Sequence, residues 1–284
     1  MNNEERAEMR VLFVTDMHGS KWKYERLIEV AKDFRANAVI NGGDMLPKEC
    51  EPFSQGEFIT DYLDDHFARF NSAGIYYLCY PGNDDLGIFD ELFEGTCNKY
   101  PFIVYLAQRK FEIEGYDFVG MNWVVDYPFR LKDRCRMDTE DYIFQEQFGT
   151  GLLSKPDGWQ EIDDWFTHAK KLPTIEEELD RLVRPKDMEN SVYVIHMPPS
   201  RLGLDKCYYG EEVGSKAIYN FLEKYQPKLS LHGHIHESPE VTGKWNAKLG
   251  RTICIQPGQL DEFTYVTIDM STMKFDRIKE QYVT

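Results

Sequence analysis

Five short apolar runs, each leading into His, Asp or Asn and most of these beside glycine, constrain this chain more than any other feature. Residues 11–15 lead into Asp16-Met17-His18-Gly19, and residues 38–40 into Asn41-Gly42-Gly43-Asp44. Residues 75–80 lead into Pro81-Gly82-Asn83-Asp84-Asp85, and residues 192–195 into His196-Met197-Pro198-Pro199. Residues 228–231 lead into His232-Gly233-His234-Ile235-His236. Runs this short, apolar and rich in β-branched residues predict buried strands. Helical patterns lie between them. Tyr24, Leu27, Ile28 and Ala31 share one face, and Phe58, Ile59, Tyr62, Leu63, Phe67 and Phe70 form a stripe over 57–71. Ser215 predicts the N-cap of a helix that turns Ala217, Ile218, Phe221, Leu222 and Tyr225 inward. The alternation of strand and helix predicts an α/β fold.

Residues 109–121 read as a hairpin turning at Glu114-Gly115. Residues 252–255 and 264–269 supply further strands. The stretch 122–190 loses the rhythm, is rich in Trp, Tyr, Asp and Gln, and closes on a helical pattern at 174–184. It reads as an insertion, or cap, within a single domain spanning 1–284.

Ligands of α/β sheets collect at the carboxyl ends of strands, where glycine lets the backbone turn while a side chain projects. The residues there are Asp16, His18, Asp44, Asn83, His196, His234 and His236. Carboxylate, amide oxygen and imidazole suit divalent manganese, iron, nickel or zinc, with manganese favoured here. Seven donors exceed the needs of one four-coordinate ion. They suit two ions sharing a carboxylate, about 3.5–4 Å apart, which clamp the oxygens of an in-line phosphoryl displacement.

These motifs resemble those of the calcineurin-like metallophosphoesterase superfamily. Asp16-x-His18, Gly43-Asp44, Gly82-Asn83-Asp84-Asp85, His196 and Gly233-His234-x-His236 follow its order over roughly 9–121 and 191–270. The resemblance implies a sandwich of two sheets flanked by helices. It implies that Asp16, His18 and His236 hold one metal, that Asn83, His196 and His234 hold a second, and that Asp44 bridges them. It implies, too, a hydroxide held between the metals as nucleophile. The residues after His196, with Gln256-Pro257-Gly258 as a turn near the site, resemble the prokaryotic phosphoesterase branch.

The sequence departs from that pattern at one place. The family's His after the motif Asn is Asp84 here, and the Asp that would orient it is Pro47. Family branches lacking this His are typically phosphodiesterases, so the resemblance points to a phosphodiesterase acting on a small or exposed phosphoester. Asp84 is the candidate acid that remains. A phosphomonoesterase or protein phosphatase is the alternative, with Asp84 or solvent as acid. A protein-binding scaffold is disfavoured because every ligand position is filled.

Lys and Arg number 33 against 49 Asp and Glu, a net charge of −16, which argues against long nucleic acid as partner. No apolar run is long enough for a membrane helix. The polar, acidic start lacks the features of a secretory leader, and the six cysteines form no C-x-x-C pair, so free thiols in a cytoplasmic protein are expected. Oligomeric state stays open. Finally, Arg130, Lys132, Arg134 and Arg136 alternate with other residues, which would place four cations on one face of an extended segment. That face is either a solvated edge strand or a substrate-binding strip over the metals. The second reading predicts that Arg134→Ala raises the Michaelis constant and spares metal content. His66 and His168 read as structural, and His232 as core or as backing for the site.

Overall fold

The predicted buried strands all form in the computed structural model, which describes residues 9–48 and 51–282. Cys50 lies outside the described residues. β1 (Arg10–Val14), β2 (Ala38–Asn41), β3 (Tyr76–Cys79) and β4 (Ile103–Tyr105) run parallel. β5 (Lys110–Ile113) and β6 (Tyr116–Met121) make the expected hairpin. Glu114 and Gly115 take φ of 52° and 76° at its turn, the left-handed pair that a two-residue hairpin requires. Two small sheets follow: β7 (Val124–Val125) with β8 (Cys135–Arg136), and β9 (Gly151–Lys155) with β10 (Gly158–Ile162). Next come β11 (Ser191–Ile195), β12 (Leu229–Leu231), β13 (Asn246–Leu249) and β14 (Thr252–Ile255). β15 (Phe263–Asp269) and β16 (Lys274–Glu280) end the described chain. One sheet has the order β16-β15-β1-β2-β3-β4, and the other β13-β14-β12-β11-β6-β5. Each has a parallel centre; β15 and β16 are antiparallel at one side of the first sheet, whose other edge, β4, is parallel, and β13 and β5 are antiparallel edges of the second.

Every central strand buries both faces, which is why it reads as an unbroken apolar run. Val11 and Phe13 of β1, Ile40 of β2 and Leu78 of β3 meet Phe118, Val192, Val194 and Leu229 between the two sheets. The alternate residues Leu12, Val14, Val39 and Tyr77 face a second core. There they pack against α1 (Lys21–Asp33), α2 (Asp64–Ala73) and α3 (Asp90–Cys97). The predicted helix over 57–71 carries a π-helical segment, Phe58–Leu63, ahead of α2. The residue added to that turn keeps Phe58, Ile59 and Leu63 buried together.

The outer face of the other sheet is covered from two directions. α4 (Trp165–Ala169) and α5 (Ile175–Arg181) supply Trp165, Ile175 and Leu179, while α6 (Lys216–Tyr225) supplies Ile218, Phe221 and Leu222. The stretch 122–190 therefore shares a core with β6 and β11. α5 starts on a complete capping box, Thr174 with Glu177, and α6 on the predicted Ser215 cap. α7 (Ser238–Thr242) follows the last histidine motif.

Candidate metal centre

The loops that carry the seven donors are laced to one another. Asp16 N donates to Gly43 O, His18 N to Asp44 O, and Gly233 N to His196 O, each at 2.9 Å. The backbone reverses sharply at the donors themselves. Asp16, His18, Asp44 and His234 take φ of 54°, 42°, 52° and 70°. Each such residue costs about 1–3 kcal/mol, a strain that surrounding structure must hold in place. Two glycines show how closely the loops approach. A Cβ on Gly82 would collide with the backbone nitrogen and carboxylate of Asp44, and one on Gly233 with Thr15 and Asp16.

Side chains of all seven converge. Oxygen and nitrogen atoms of Asp16, His18, Asp44 and His236 lie within 4.8 Å of one another. His18 Nε2 is 3.1 Å from His236 Nε2, and His236 Nε2 is 3.3 Å from Asp16 Oδ1. Beside this group, Asn83 Oδ1 faces His196 Nε2 at 2.8 Å and His234 Nδ1 at 2.6 Å. Asp44 stands between the two groups, its Oδ2 3.3 Å from His196 Nε2 and 4.0 Å from His18 Nε2.

The donor set fits divalent cations. His196 Nδ1 lies 2.7 Å from Gly42 O; a proton held there leaves Nε2 as a lone pair aimed into the cluster. Asp16 Oδ2 and His18 Nδ1 are buried without a hydrogen-bond partner, and two imidazole nitrogens face each other. Groups left open in this way are what cations would satisfy. Burial would push the Asp16 carboxyl up, but His236 and His196 outweigh it and hold it down at about 2. Asp44 is lowered for the same reason, by His196 and His18 against burial. Burial lowers His18 and His234 to about 3, while the two carboxylates overcome burial and raise His196 to about 9. The metal-free centre thus presents two ionised carboxylates and neutral His18 and His234, while the carboxylates hold a proton on His196 that a bound cation would displace.

The model of the family described as calcineurin-like phosphoesterase matches residues 9–238. This chain belongs to that family. No curated protein matches the sequence. Among solved structures, TT1561 of Thermus thermophilus superposes with a TM-score of 0.62 at 18% identity, over 96% of this chain and 99% of that one. A dimetal phosphatase from Danio rerio superposes with a TM-score of 0.51 at 11% identity, over 97% and 99%. The two mixed sheets flanked by helices are the family's sandwich, and a metal-dependent phosphohydrolase is what membership implies.

The basic stretch does not form the expected face. Only Cys135 and Arg136 are in a strand, and Lys132, Arg134 and Arg136 are buried. Lys132 Nζ pairs with Asp126 at 2.8 Å, both side chains being fully inaccessible. The Arg136 guanidinium lies 3.8 Å over the Trp123 ring. Arg130 is exposed and bonds Thr150 O and Glu161. Arg134 turns inward instead, its Nε donating to Gly82 O at 2.6 Å and its other nitrogens to Asp90 and Asp85 O. A guanidinium so engaged clamps the loop that carries Asn83 and is not open to substrate, which corrects the expectation for Arg134. The alternation failed because these side chains pair with partners that lie on several different elements.

Asp84 stands at the mouth, its backbone N donating to Asp44 Oδ1 at 2.8 Å. Burial, then the charge of Asp44, raises its carboxyl to about 6. His232 is fully buried and meets Ile195 O and Met197 O through Nδ1, both at 3.0 Å, so it backs the loop of His196. Gln256 holds the carbonyls of Gly233 and Ile235, as a turn beside the site would.

Two residues escaped the sequence reading. Asp85 accepts from Met45 N, Leu46 N and Gly82 N at 2.7–2.9 Å, tying the loop after β2 to the loop after β3. Its adjacency to Asn83 was the available signal. Lys48 lies 3.9 Å from Asp84, and its four-residue distance from Asp44 was the only hint.

Proposed function

We propose that the chain hydrolyses phosphodiesters of small or exposed substrates with two divalent cations, manganese being the favoured metal. Asp16, His18 and His236 would hold one cation, Asn83, His196 and His234 the other, and Asp44 both. Bound there, the cations would activate water and neutralise charge on the phosphoryl oxygens. The protein's own part is to hold these donors ionised or neutral as required, on backbones fixed by neighbouring loops.

One observation favours diesters. The residue at the mouth, over the bridging carboxylate, is Asp84 and not an imidazole, and Pro47 stands where its orienting partner would be. The His–Asp pair with which the family's monoesterases protonate the leaving group is thus absent at both positions, which favours diesters. A cytoplasmic location goes with this reading; the buried thiols of Cys79 and Cys97 lie 4.0 Å apart and share a hydrogen bond. Among the described residues no helix is long and apolar enough to cross a membrane. The net charge of −16 weighs against long nucleic acids as substrates.

The test compares bis-p-nitrophenyl phosphate with p-nitrophenyl phosphate on manganese-loaded protein, with Asp44→Asn as control. Diester turnover that vanishes in the control, with little monoester turnover, is the expected result. Dominant monoester turnover would replace this reading with a phosphomonoesterase.

A further inference from the structure

The mouth of the centre carries a pair of charges that the metal positions leave unused. Lys48 Nζ lies 3.9 Å from Asp84 Oδ2, and the two side chains are 42% and 34% exposed. Beneath them Asp16, Asp44 and His196 are buried. The pair is held from several sides. Asp84 Oδ1 accepts from Asn83 Nδ2 at 3.0 Å, and Oδ2 faces the ammonium on one side and His18 Nδ1, 4.0 Å away, on the other. The Gln55 carboxamide donates to Pro47 O and to Asp84 O, both at 3.0 Å, so it ties together the two loops that carry the pair. Leu86 N returns a bond to Gln55 Oε1 at 2.9 Å. Lys48 therefore places a cation, paired at 3.9 Å with Asp84, at the open side of a cluster whose inner side would hold metal.

An anionic ester held by cations at this cluster would turn its departing group toward that open side. We infer that Lys48 is a catalytic residue for diester cleavage, held by Asp84 beside the oxygen of the departing alcohol. This rests on the phosphodiesterase reading and deepens it. As the water oxygen bonds to phosphorus, the ester P–O bond breaks and its electron pair stays on the departing oxygen. The ammonium neutralises that charge and stays protonated throughout. The departing oxygen takes its proton from solvent, which receives the one released by the attacking water, so diester and water give monoester and alcohol. The arrangement supplies by charge what the missing His–Asp pair would supply by proton transfer. It also fits an ester whose departing group is a poor one, because an activated phenolate needs little help.

The test uses the manganese-loaded protein with Lys48→Met, Lys48→Arg and Asp84→Asn. Substrates are methyl aryl phosphates whose departing groups run from p-nitrophenol to phenol. Removing one fixed electrostatic partner of a developing oxyanion costs about 10²-fold. Lys48→Met is expected to lose about that much with phenol departing and only a few-fold with p-nitrophenol. Lys48→Arg restores most of the loss, and Asp84→Asn falls between. A loss equal for all departing groups, or a variant stripped of metal, would overturn the inference, because either outcome marks a structural role. Binding of inorganic phosphate, followed by calorimetry on the same proteins, is the second readout. Lys48→Met should weaken it about fivefold and Lys48→Arg little. If the wild-type protein cleaves no ester, the phosphodiesterase reading fails. The phosphate arm still decides, since equal affinities in wild type and Lys48→Met would overturn the placement of Lys48 at the anion.

Discussion

The strand-end loops and the stretch 122–190 draw on the same charged residues and treat them in opposite ways. In the loops, buried groups are left open: Asp16 Oδ2 and His18 Nδ1 have no hydrogen-bond partner, and four donors sit on left-handed backbone. In the stretch 122–190, buried charges are mostly closed off, Arg136 Nε being the exception. Asp126 takes Lys132 Nζ, Trp165 Nε1 and Gln147 Nε2, and Asp138 takes Ser215 Oγ and Lys216 N. A satisfied buried charge fixes structure, whereas converging unsatisfied ones store strain for a ligand. His66 refines the rule. Both its ring nitrogens are also unpartnered, yet its neighbours are the rings of Tyr24, Phe70 and Tyr77, and no carboxylate joins it. An open group needs companions of complementary chemistry to be a site.

The sharpest break in this comparison is Asp44→Asn. Loss of the shared carboxylate should cut kcat/KM about 10⁴-fold, in keeping with the several kcal/mol a metal pair supplies. Metal content measured by mass spectrometry should fall with it, while the metal-free protein keeps its melting temperature. Next in size is Lys132→Met, which strands Asp126 in the core and should cost about 3–5 kcal/mol by urea denaturation. A loss below about 1 kcal/mol would show that the pair is not closed as described. Arg134→Met should cost about 2–3 kcal/mol, since Gly82 O loses a charged donor. It should also weaken metal retention about tenfold, as loss of an outer partner does. Unchanged metal affinity with a raised Michaelis constant would return Arg134 to the substrate.

A pH series tests His66. Burial lowers it to about 3, so the unfolded chain binds a proton between about 3 and 6.5 that the folded chain refuses. Stability contributed by the neutral ring is complete above pH 6.5 and falls below it by about 1.4 kcal/mol per pH unit. His66→Phe should flatten that part of the profile, and an unaltered slope would place the dependence elsewhere. The smallest effect belongs to Arg130→Ala. Its exposed bonds to Thr150 and Glu161 should leave stability within about 0.5 kcal/mol.

Much of the centre was legible because local and global requirements coincide at each strand end. Val11 to Thr15 must be apolar to sit between two cores, and the chain must then reverse, which Asp16 and His18 do on left-handed backbone. The Arg130–Arg136 alternation looked equally regular and meant something else. Period two describes a face only where a strand exists, and the strand in that run is just Cys135 and Arg136, paired with β7. The role of Asp85 was not legible for a related reason. Its partners are backbone nitrogens of Met45 and Leu46, some forty residues away, and backbone groups leave no mark in a sequence.

The sequence by itself determined the two buried sheets, the seven donors and the absence of an imidazole after Asn83. Each is written in residue type and short-range order, where burial and turn chemistry leave few alternatives. Tertiary structure alone decided which buried charges are closed and which are open. Lys132 and Arg134 went to partners inside the fold, and Lys48 went to the mouth beside Asp84. That choice depends on distances between loops far apart in the chain, and a charge becomes structural or chemical according to whether a partner is within reach.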